Sequence, residues 1–198
     1  SLAFNVWLGL ALQARPDAAT HPPSSLPAGT RLPPLSGRTL DGRRFRIDVG
    51  ATRTETAVYV FSARCSWCDR DLNNIRTLAG RRGHTIRFLA VSTGPEDLRS
   101  LREYAKAVGF NLEVVSDVPP EQRTAYSMDG TPQLLVLGND GRLRKAFKGA
   151  LQGRTLDEAE AFFGLDLPGT GVPPTPPGDA RSVGPECVDP WGAVFDQG

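Results

Sequence analysis

Two cysteines separated by two residues, Cys65 and Cys68, are the side chains of this sequence best suited to chemistry. A thiolate attacks disulfides and binds metal ions, and a second cysteine three residues away is close enough to take part in either process. The spacing therefore suits redox cycling or half of a metal site. A closed zinc site needs further ligands, and the other candidates are His21, His84 and Cys187. We therefore favour redox chemistry and expect neither a metal nor a cofactor.

The segments around the pair predict how it is positioned. Residues 57–61 are apolar, β-branched and aromatic, a composition typical of a buried central strand. Three apolar residues then follow at three-residue spacing and predict one face of a helix that begins at residue 66 and ends near Gly80: Leu72, Ile75 and Leu78. Cys65 is then expected at a strand-to-helix junction. There, unpaired N–H groups and the helix dipole lower the pKa of a thiol.

The rest of the pattern alternates strands with helices and predicts an α/β fold with a mainly parallel sheet. Asp41-Gly42 precedes alternating apolar residues and predicts an N-terminal β-hairpin. Further strands are expected over residues 86–92, 112–115, 133–137 and 143–147, and helices over 95–108, 121–126 and 155–163. The last two strands flank Asp140-Gly141 and predict a second hairpin, and Thr155 is the expected cap of the last helix.

The organisation along the chain predicts one domain, residues 35–164, with an extension at each end. Pro-rich sequence marks residues 16–34 as a linker and residues 165–198 as a C-terminal extension. Residues 1–15 are mostly apolar, and two interpretations stay open. They are the clipped end of a signal peptide or membrane anchor, or an amphipathic helix packed on the domain or a partner.

The charge of the chain is balanced, with 23 basic and 22 acidic residues and no long block of one sign. This balance argues against nucleic acid or an anionic membrane surface as the main partner, and favours a protein or a small thiol. Three cysteines are too few for a disulfide scaffold, and Cys187 has no partner in the sequence pattern.

With the cysteine pair between a strand and a helix, and Gly130-Thr131-Pro132 before the second hairpin, residues 35–164 resemble the thioredoxin superfamily. Within it they resemble the TlpA/ResA-like extracytoplasmic thiol–disulfide oxidoreductases. The resemblance implies a central mixed sheet flanked by helices, with the N-terminal hairpin as an extension. It also implies that the Thr131–Pro132 bond is cis and that the Thr131 backbone pairs with bound substrate as an added strand.

The resemblance further implies an enzyme in which Cys65 attacks a protein disulfide and Cys68 resolves the mixed disulfide. We expect it in the bacterial periplasm or at the outer face of a membrane, with a second thiol–disulfide protein as redox partner. The family implies a reductase that supports cytochrome c maturation or metal-centre assembly, although no residue selects the direction. The alternative is a binding or assembly module without turnover. A peroxiredoxin ranks third, because its single peroxidatic cysteine normally lacks this C-x-x-C.

An acidic residue three positions after the second cysteine is common in TlpA/ResA-like proteins, and here it is Asp71. On a helix it shares a face with Cys68, and by resemblance it assists proton transfer or tunes the potential of the pair. A solvated or capping aspartate is the competing interpretation.

Two residues depart from the family pattern. Arg64 stands where the family usually has Trp, and Trp67 where it usually has Pro. Our hypothesis is that Arg64 stabilises the Cys65 thiolate and makes the disulfide more oxidising. A thiol titration of Arg64→Ala without a rise in the Cys65 pKa would contradict it. Trp67 is expected beside the site, either exposed for protein contact or half-buried.

Overall fold

A computed structural model describes residues 26–171, in which seven strands form one mixed sheet and four helices pack on it. The strands are β1 (Leu35–Thr39), β2 (Arg44–Ile47), β3 (Glu55–Phe61), β4 (Ile86–Ser92), β5 (Glu113–Ser116), β6 (Gln133–Leu137) and β7 (Leu143–Lys148). The helices are α1 (Ser66–Arg82), α2 (Leu98–Ala107), α3 (Pro120–Ala125) and α4 (Gly153–Phe163).

The sheet has the order β2-β1-β5-β4-β3-β6-β7. Strand β4 is parallel to both β3 and β5, and the four other pairings are antiparallel. The α/β class, the mixed sheet and the N-terminal hairpin are therefore confirmed. The expectation of a mainly parallel sheet is wrong, because the hairpins at both ends of the domain add antiparallel strands to the parallel centre.

Strand β3 separates two apolar layers and carries the chain into the cysteine pair. Its alternate residues Ala57, Tyr59 and Phe61 face the layer that includes the buried side chains of α1, α2 and α4. Val58 and Val60 face the opposite layer, which includes the N-terminal hairpin. Burial on both faces explains why residues 57–61 of this central strand are apolar rather than alternating.

The helix ends differ from the sequence prediction where local contacts decide them. Helix α1 continues through Gly80 to Arg82, because the packing of its apolar face outweighs the cost of one glycine, about 1 kcal/mol. Helix α2 begins at Leu98, because the Asp97 side chain accepts a hydrogen bond from Ser100 N at 2.7 Å and caps it. Thr155 is not the cap of α4, since that helix begins two residues earlier.

Part of the predicted linker, residues 16–34, falls within the described residues and packs on β7. Gly29 N donates to Leu143 O at 2.7 Å, and Leu143 N donates to Thr30 O at 2.8 Å. Leu32 is buried in the apolar layer that includes the N-terminal hairpin. Residues 1–25 and 172–198, and with them the predictions for the N-terminal segment and Cys187, lie outside the described residues.

Gly37 sets how closely the hairpin approaches β5, and its substitution is a test of that contact. An alanine Cβ there would overlap the Ser116 carbonyl oxygen and lie 2.6 Å from Val115 Cγ1. We expect Gly37→Ala to lower the free energy of unfolding by about 1–3 kcal/mol in urea titrations, because backbone atoms must move to admit the methyl group. Gly80→Ala is the matched control. Its added Cβ meets nothing within 4 Å, so we expect a neutral or slightly stabilising change. Equal effects of the two substitutions would contradict this account of the hairpin.

Candidate active site

Cys65 lies at the N-cap of α1, four residues after Phe61, the last residue of β3. Its N–H donates to Ser62 O at 3.1 Å, which closes the turn between strand and helix. Its own carbonyl accepts the first helical hydrogen bonds, from Cys68 N at 3.0 Å and Asp69 N at 3.2 Å. The predicted strand-to-helix junction therefore places this cysteine at the positive end of the helix dipole.

Cys68 lies one turn further along the same helix and is fully buried, whereas Cys65 keeps 3% of its surface exposed. Both residues are in the thiol form. Burial raises the pKa of the Cys68 thiol well above its usual value, and a hydrogen bond with Cys65 raises it further. The two sulfurs thus have different environments. Both cysteines are buried, but Cys65 keeps a small exposed fraction and Cys68 keeps none.

The loop before β6 brings Thr131 and Pro132 against the first cysteine. The Thr131–Pro132 bond is cis, as the resemblance implied. The Cys65 Sγ–H donates to Thr131 O at 3.6 Å, a weak bond typical of sulfur donors. Pro132 is buried and its carbonyl accepts from Gly149 N at 2.9 Å. The structure thus brings together the cysteine pair and the loop predicted to bind substrate.

Asp71 is buried inside the protein rather than solvated, so the competing interpretation as a surface or capping aspartate is wrong. Its Oδ1 accepts hydrogen bonds from Asn74 Nδ2 at 2.8 Å and from Leu151 N at 3.1 Å. Burial raises the pKa of this carboxyl to about 6, although both hydrogen bonds oppose the rise. The acid therefore changes its protonation state close to neutral pH.

Arg64 precedes the pair, and Trp67 lies between the two cysteines. The Arg64 side chain is exposed, and its backbone N–H donates to Ser62 Oγ at 3.2 Å. Trp67 is half-buried against the core, and the Arg70 guanidinium carbon lies 4.9 Å from its ring centroid. The half-buried alternative for Trp67 is thus the correct one. The effect of Arg64 on the Cys65 thiolate stays a prediction.

Sequence reasoning missed several polar partners of the site. Tyr104 Oη donates to Asp69 Oδ1 at 2.7 Å and ties α2 to the first turn of α1. Ser62 Oγ donates to Glu96 Oε1 at 3.0 Å beside the cysteine turn. Asn74 is the residue that a local pattern could have indicated, because it follows Asp71 at helical i, i+3 spacing. The other contacts join segments about 35 residues apart, and no local pattern marks them.

Two features are absent from the described residues. Residues 26–171 contain no group of three or more histidine, cysteine, aspartate or glutamate side chains that would hold a metal ion. Within the same range, no helix has the length and apolar character needed to cross a membrane. A cavity of about 540 Å³ lies near the C-terminal end of α1, lined in part by Arg76, Gly80, Phe88 and Phe110, and none of the predicted site residues lines it.

No protein-family model and no curated protein matches this sequence. Solved structures do match it. The thioredoxin domain of a Bacteroides vulgatus thiol-disulfide oxidoreductase is 18% identical, with a TM-score of 0.56 over 70% of this chain and 99% of that one. A thioredoxin-family thiol:disulfide interchange protein from Chlorobium tepidum TLS is 20% identical, with a TM-score of 0.52 over 64% and 90%. A thiol:disulfide interchange protein from Bacteroides sp. is 18% identical, with a TM-score of 0.55 over 70% and 91%.

Proposed function

Because this chain has the fold of the thioredoxin superfamily, we propose that it exchanges disulfides with protein substrates through Cys65 and Cys68. The observation that carries the proposal is the position of the Cys65 sulfur. It lies at the N-cap of α1 and 3.6 Å from the Thr131 carbonyl, with Cys68 one turn behind it. A thiol at a helix N-terminus favours its thiolate form, and a neighbouring thiol can resolve what that thiolate captures.

The first step forms a mixed disulfide. An extended substrate segment pairs with the Thr131 backbone, which places its disulfide beside Cys65. The Cys65 thiolate attacks one substrate sulfur, the substrate S–S bond breaks, and the other substrate sulfur leaves as a thiolate and takes up a proton. Cys65 keeps a small exposed fraction and Cys68 keeps none, so Cys65 is the proposed attacking residue.

The second step releases the substrate. Cys68 loses its proton and attacks Cys65 Sγ, so that a Cys65–Cys68 disulfide forms, the mixed disulfide bond breaks, and the second substrate sulfur leaves as a thiolate that takes up a proton from solvent. Since burial raises the pKa of Cys68, this step needs a proton acceptor. Asp71 shares a helix face with Cys68 and, with a pKa of about 6, is mostly ionised at neutral pH. It is the proposed acceptor.

The direction we propose is reduction of substrates. A strongly oxidising pair is one whose reduced form is stabilised, usually as a thiolate. Here burial disfavours the Cys68 thiolate, so the dithiol gains no such stabilisation at its second sulfur. The Arg64 side chain, which would favour an oxidising pair, is exposed to solvent, and exposure weakens its electrostatic effect.

The cellular role we propose is that of a TlpA/ResA-type reductase outside the cytoplasm, either periplasmic or held at the outer face of a membrane by residues 1–15. The resemblance to this type of reductase implies a role in cytochrome c maturation. The support is the resemblance of residues 35–164, the apolar N-terminal sequence, and the position of Asp71 after the cysteine pair. A second thiol–disulfide protein would return the pair to the dithiol.

Reduction of insulin tests the proposal, with dithiothreitol as the electron source and precipitation of the insulin B chain as the readout. We expect the protein to accelerate precipitation above the dithiothreitol background. One observation favours the alternative of a binding or assembly module: only 3% of the Cys65 surface is exposed. Wild-type protein that gives only background precipitation would support that module and contradict the proposed reductase.

A further inference from the structure

Asn74 joins Asp71 to a turn that is distant in sequence. Its Nδ2 donates to Asp71 Oδ1 at 2.8 Å and to Leu151 O at 3.0 Å, while Leu151 N donates to the same Asp71 oxygen at 3.1 Å. All three residues are at most 1% exposed. The carboxylate oxygen, the amide nitrogen and the Leu151 peptide therefore form a closed ring of hydrogen bonds between α1 and the turn after β7. We call this ring the Asp71 clamp.

The Asp71 clamp is continuous with the loop that faces Cys65. Two residues before Leu151, Gly149 N donates to Pro132 O at 2.9 Å. The turn that holds Asp71 thus also holds the cis-proline loop, whose Thr131 carbonyl contacts the Cys65 sulfur. The acid and the substrate-binding loop share one backbone support.

Burying the Asn74 amide at this position costs folding free energy. This cost argues that the side chain has a role besides packing. Its Oδ1 is buried and has no hydrogen-bond partner among residues 26–171. A buried polar atom without a partner destabilises a fold, and an apolar side chain of similar size would avoid that cost. The Nδ2 group, in contrast, uses both of its hydrogens, one of them on the Asp71 carboxyl.

Resting on the proposed function, we propose that Asn74 is a positioning residue that holds the Asp71 carboxyl against Leu151 and so sets the pH range in which this acid can accept the proton from Cys68. An N–H donor to a carboxylate stabilises the charged form. Besides Cys68, one turn before it on α1, Asp71 interacts electrostatically with Cys65 at the start of α1 and with Tyr59 on β3. Charge on either would oppose ionisation of Asp71, so the Asn74 and Leu151 N–H groups are its favourable contacts.

A direct titration of Asp71 tests the inference. In reduced protein carrying ¹³C-labelled aspartate, the Asp71 carboxyl resonance is followed by NMR from pH 4 to pH 9 in wild type, Asn74→Ala and Asn73→Ala. We expect Asn74→Ala to raise the Asp71 midpoint by about one pH unit, because the ionised form loses one of its two donors. Asn73 lies next to Asn74 on the exposed side of α1, so Asn73→Ala should leave the midpoint unchanged.

The acid limb of the insulin-reduction rate provides the second readout. The midpoint of this limb should lie at higher pH in Asn74→Ala than in wild type. When wild type and Asn74→Ala each also carry Asp71→Asn, the difference between them should vanish, because the carboxyl that Asn74 contacts is gone. If Asn74→Ala does not fold, Asn74→Ser replaces it and the same upward shift is expected. An unchanged Asp71 midpoint in a folded Asn74 variant would overturn the inference, as would a shift that persists without Asp71. Because the NMR titration needs no turnover, a wild-type protein without reductase activity would refute the proposed function while the role of Asn74 is still measured.

Discussion

A Cys68→Ser variant is expected to capture disulfide-containing proteins as stable mixed disulfides through Cys65. Cys65 can still attack in this variant, but the buried thiol that releases the substrate is missing, so the reaction stops at the mixed disulfide. Incubation with an unfolded disulfide-containing protein and non-reducing electrophoresis should reveal a conjugate that disappears on addition of dithiothreitol. Insulin reduction by the same variant should fall to the background of the reductant.

Cys65→Ser is the matched control, because it removes the attacking sulfur and keeps Cys68. It should form no conjugate under the same conditions, since Cys68 is fully buried. Serine in the apolar position of Cys68 can destabilise the fold, so Cys68→Ala serves as the second trapping variant. Equal trapping by the Cys65 and Cys68 variants, or trapping by Cys65→Ser alone, would contradict the assignment of the two roles.

Asp71→Asn is expected to make the protein more stable above pH 7 and less active. The raised pKa of Asp71 means that ionisation of this carboxyl opposes folding. The contribution of Asp71 to the free energy of unfolding is fully favourable below the unfolded-state pKa of 3.8. It is lost as the pH rises through the folded-state pKa of about 6. The rise corresponds to about 3 kcal/mol, since one pKa unit is about 1.4 kcal/mol.

Asparagine keeps an oxygen that can accept from Asn74 and Leu151, but it cannot ionise. Urea unfolding of the reduced proteins should therefore show the variant more stable than wild type by about 1–3 kcal/mol at pH 8, with the difference fading toward pH 4. Groups other than Asp71 titrate alike in both proteins and cancel in the comparison. A stability difference that is the same at both pH values would contradict the burial of an ionisable Asp71.

The same substitution should slow turnover, because the proposed proton acceptor for Cys68 is removed. General-base catalysis contributes about 10² to 10⁴-fold, and we expect a loss on the order of tenfold to hundredfold in insulin reduction at pH 7. Stabilisation together with lost activity is the signature of a residue kept for function at the expense of the fold. Full activity of Asp71→Asn would mean that the proton from Cys68 leaves by another route.

The sequence was sufficient for those features of the site that depend on local order along the chain. An apolar run before Cys65 and a three-residue apolar period after it placed the cysteine at the N-terminus of a helix, and the structure confirms that position. The thioredoxin fold is confirmed by the solved structures. The cis bond before Pro132 followed from the family resemblance and is also confirmed.

The environment of Asp71 could not be predicted, because it depends on a turn 80 residues further along the chain. Whether an aspartate on α1 is solvated or buried is decided by the segment that packs over it, here the turn at Leu151. The Asn74 side chain can join Asp71 to Leu151 only when that turn packs against α1. The contacts of Gly29 and Thr30 with Leu143 could not be predicted for the same reason, because they join segments more than 100 residues apart.

The reduction potential of the Cys65–Cys68 couple tests the central claim most directly, because it requires both that the pair cycles and that it favours reduction of substrates. Equilibration in glutathione or dithiothreitol redox buffers, with the Cys65–Cys68 disulfide quantified by mass spectrometry, measures it in the full chain. We predict a reversible two-electron couple nearer to the value of thioredoxin, about −270 mV, than to that of the oxidant DsbA, about −120 mV. A pair that forms no reversible disulfide, or one with a potential near that of DsbA, would contradict the account.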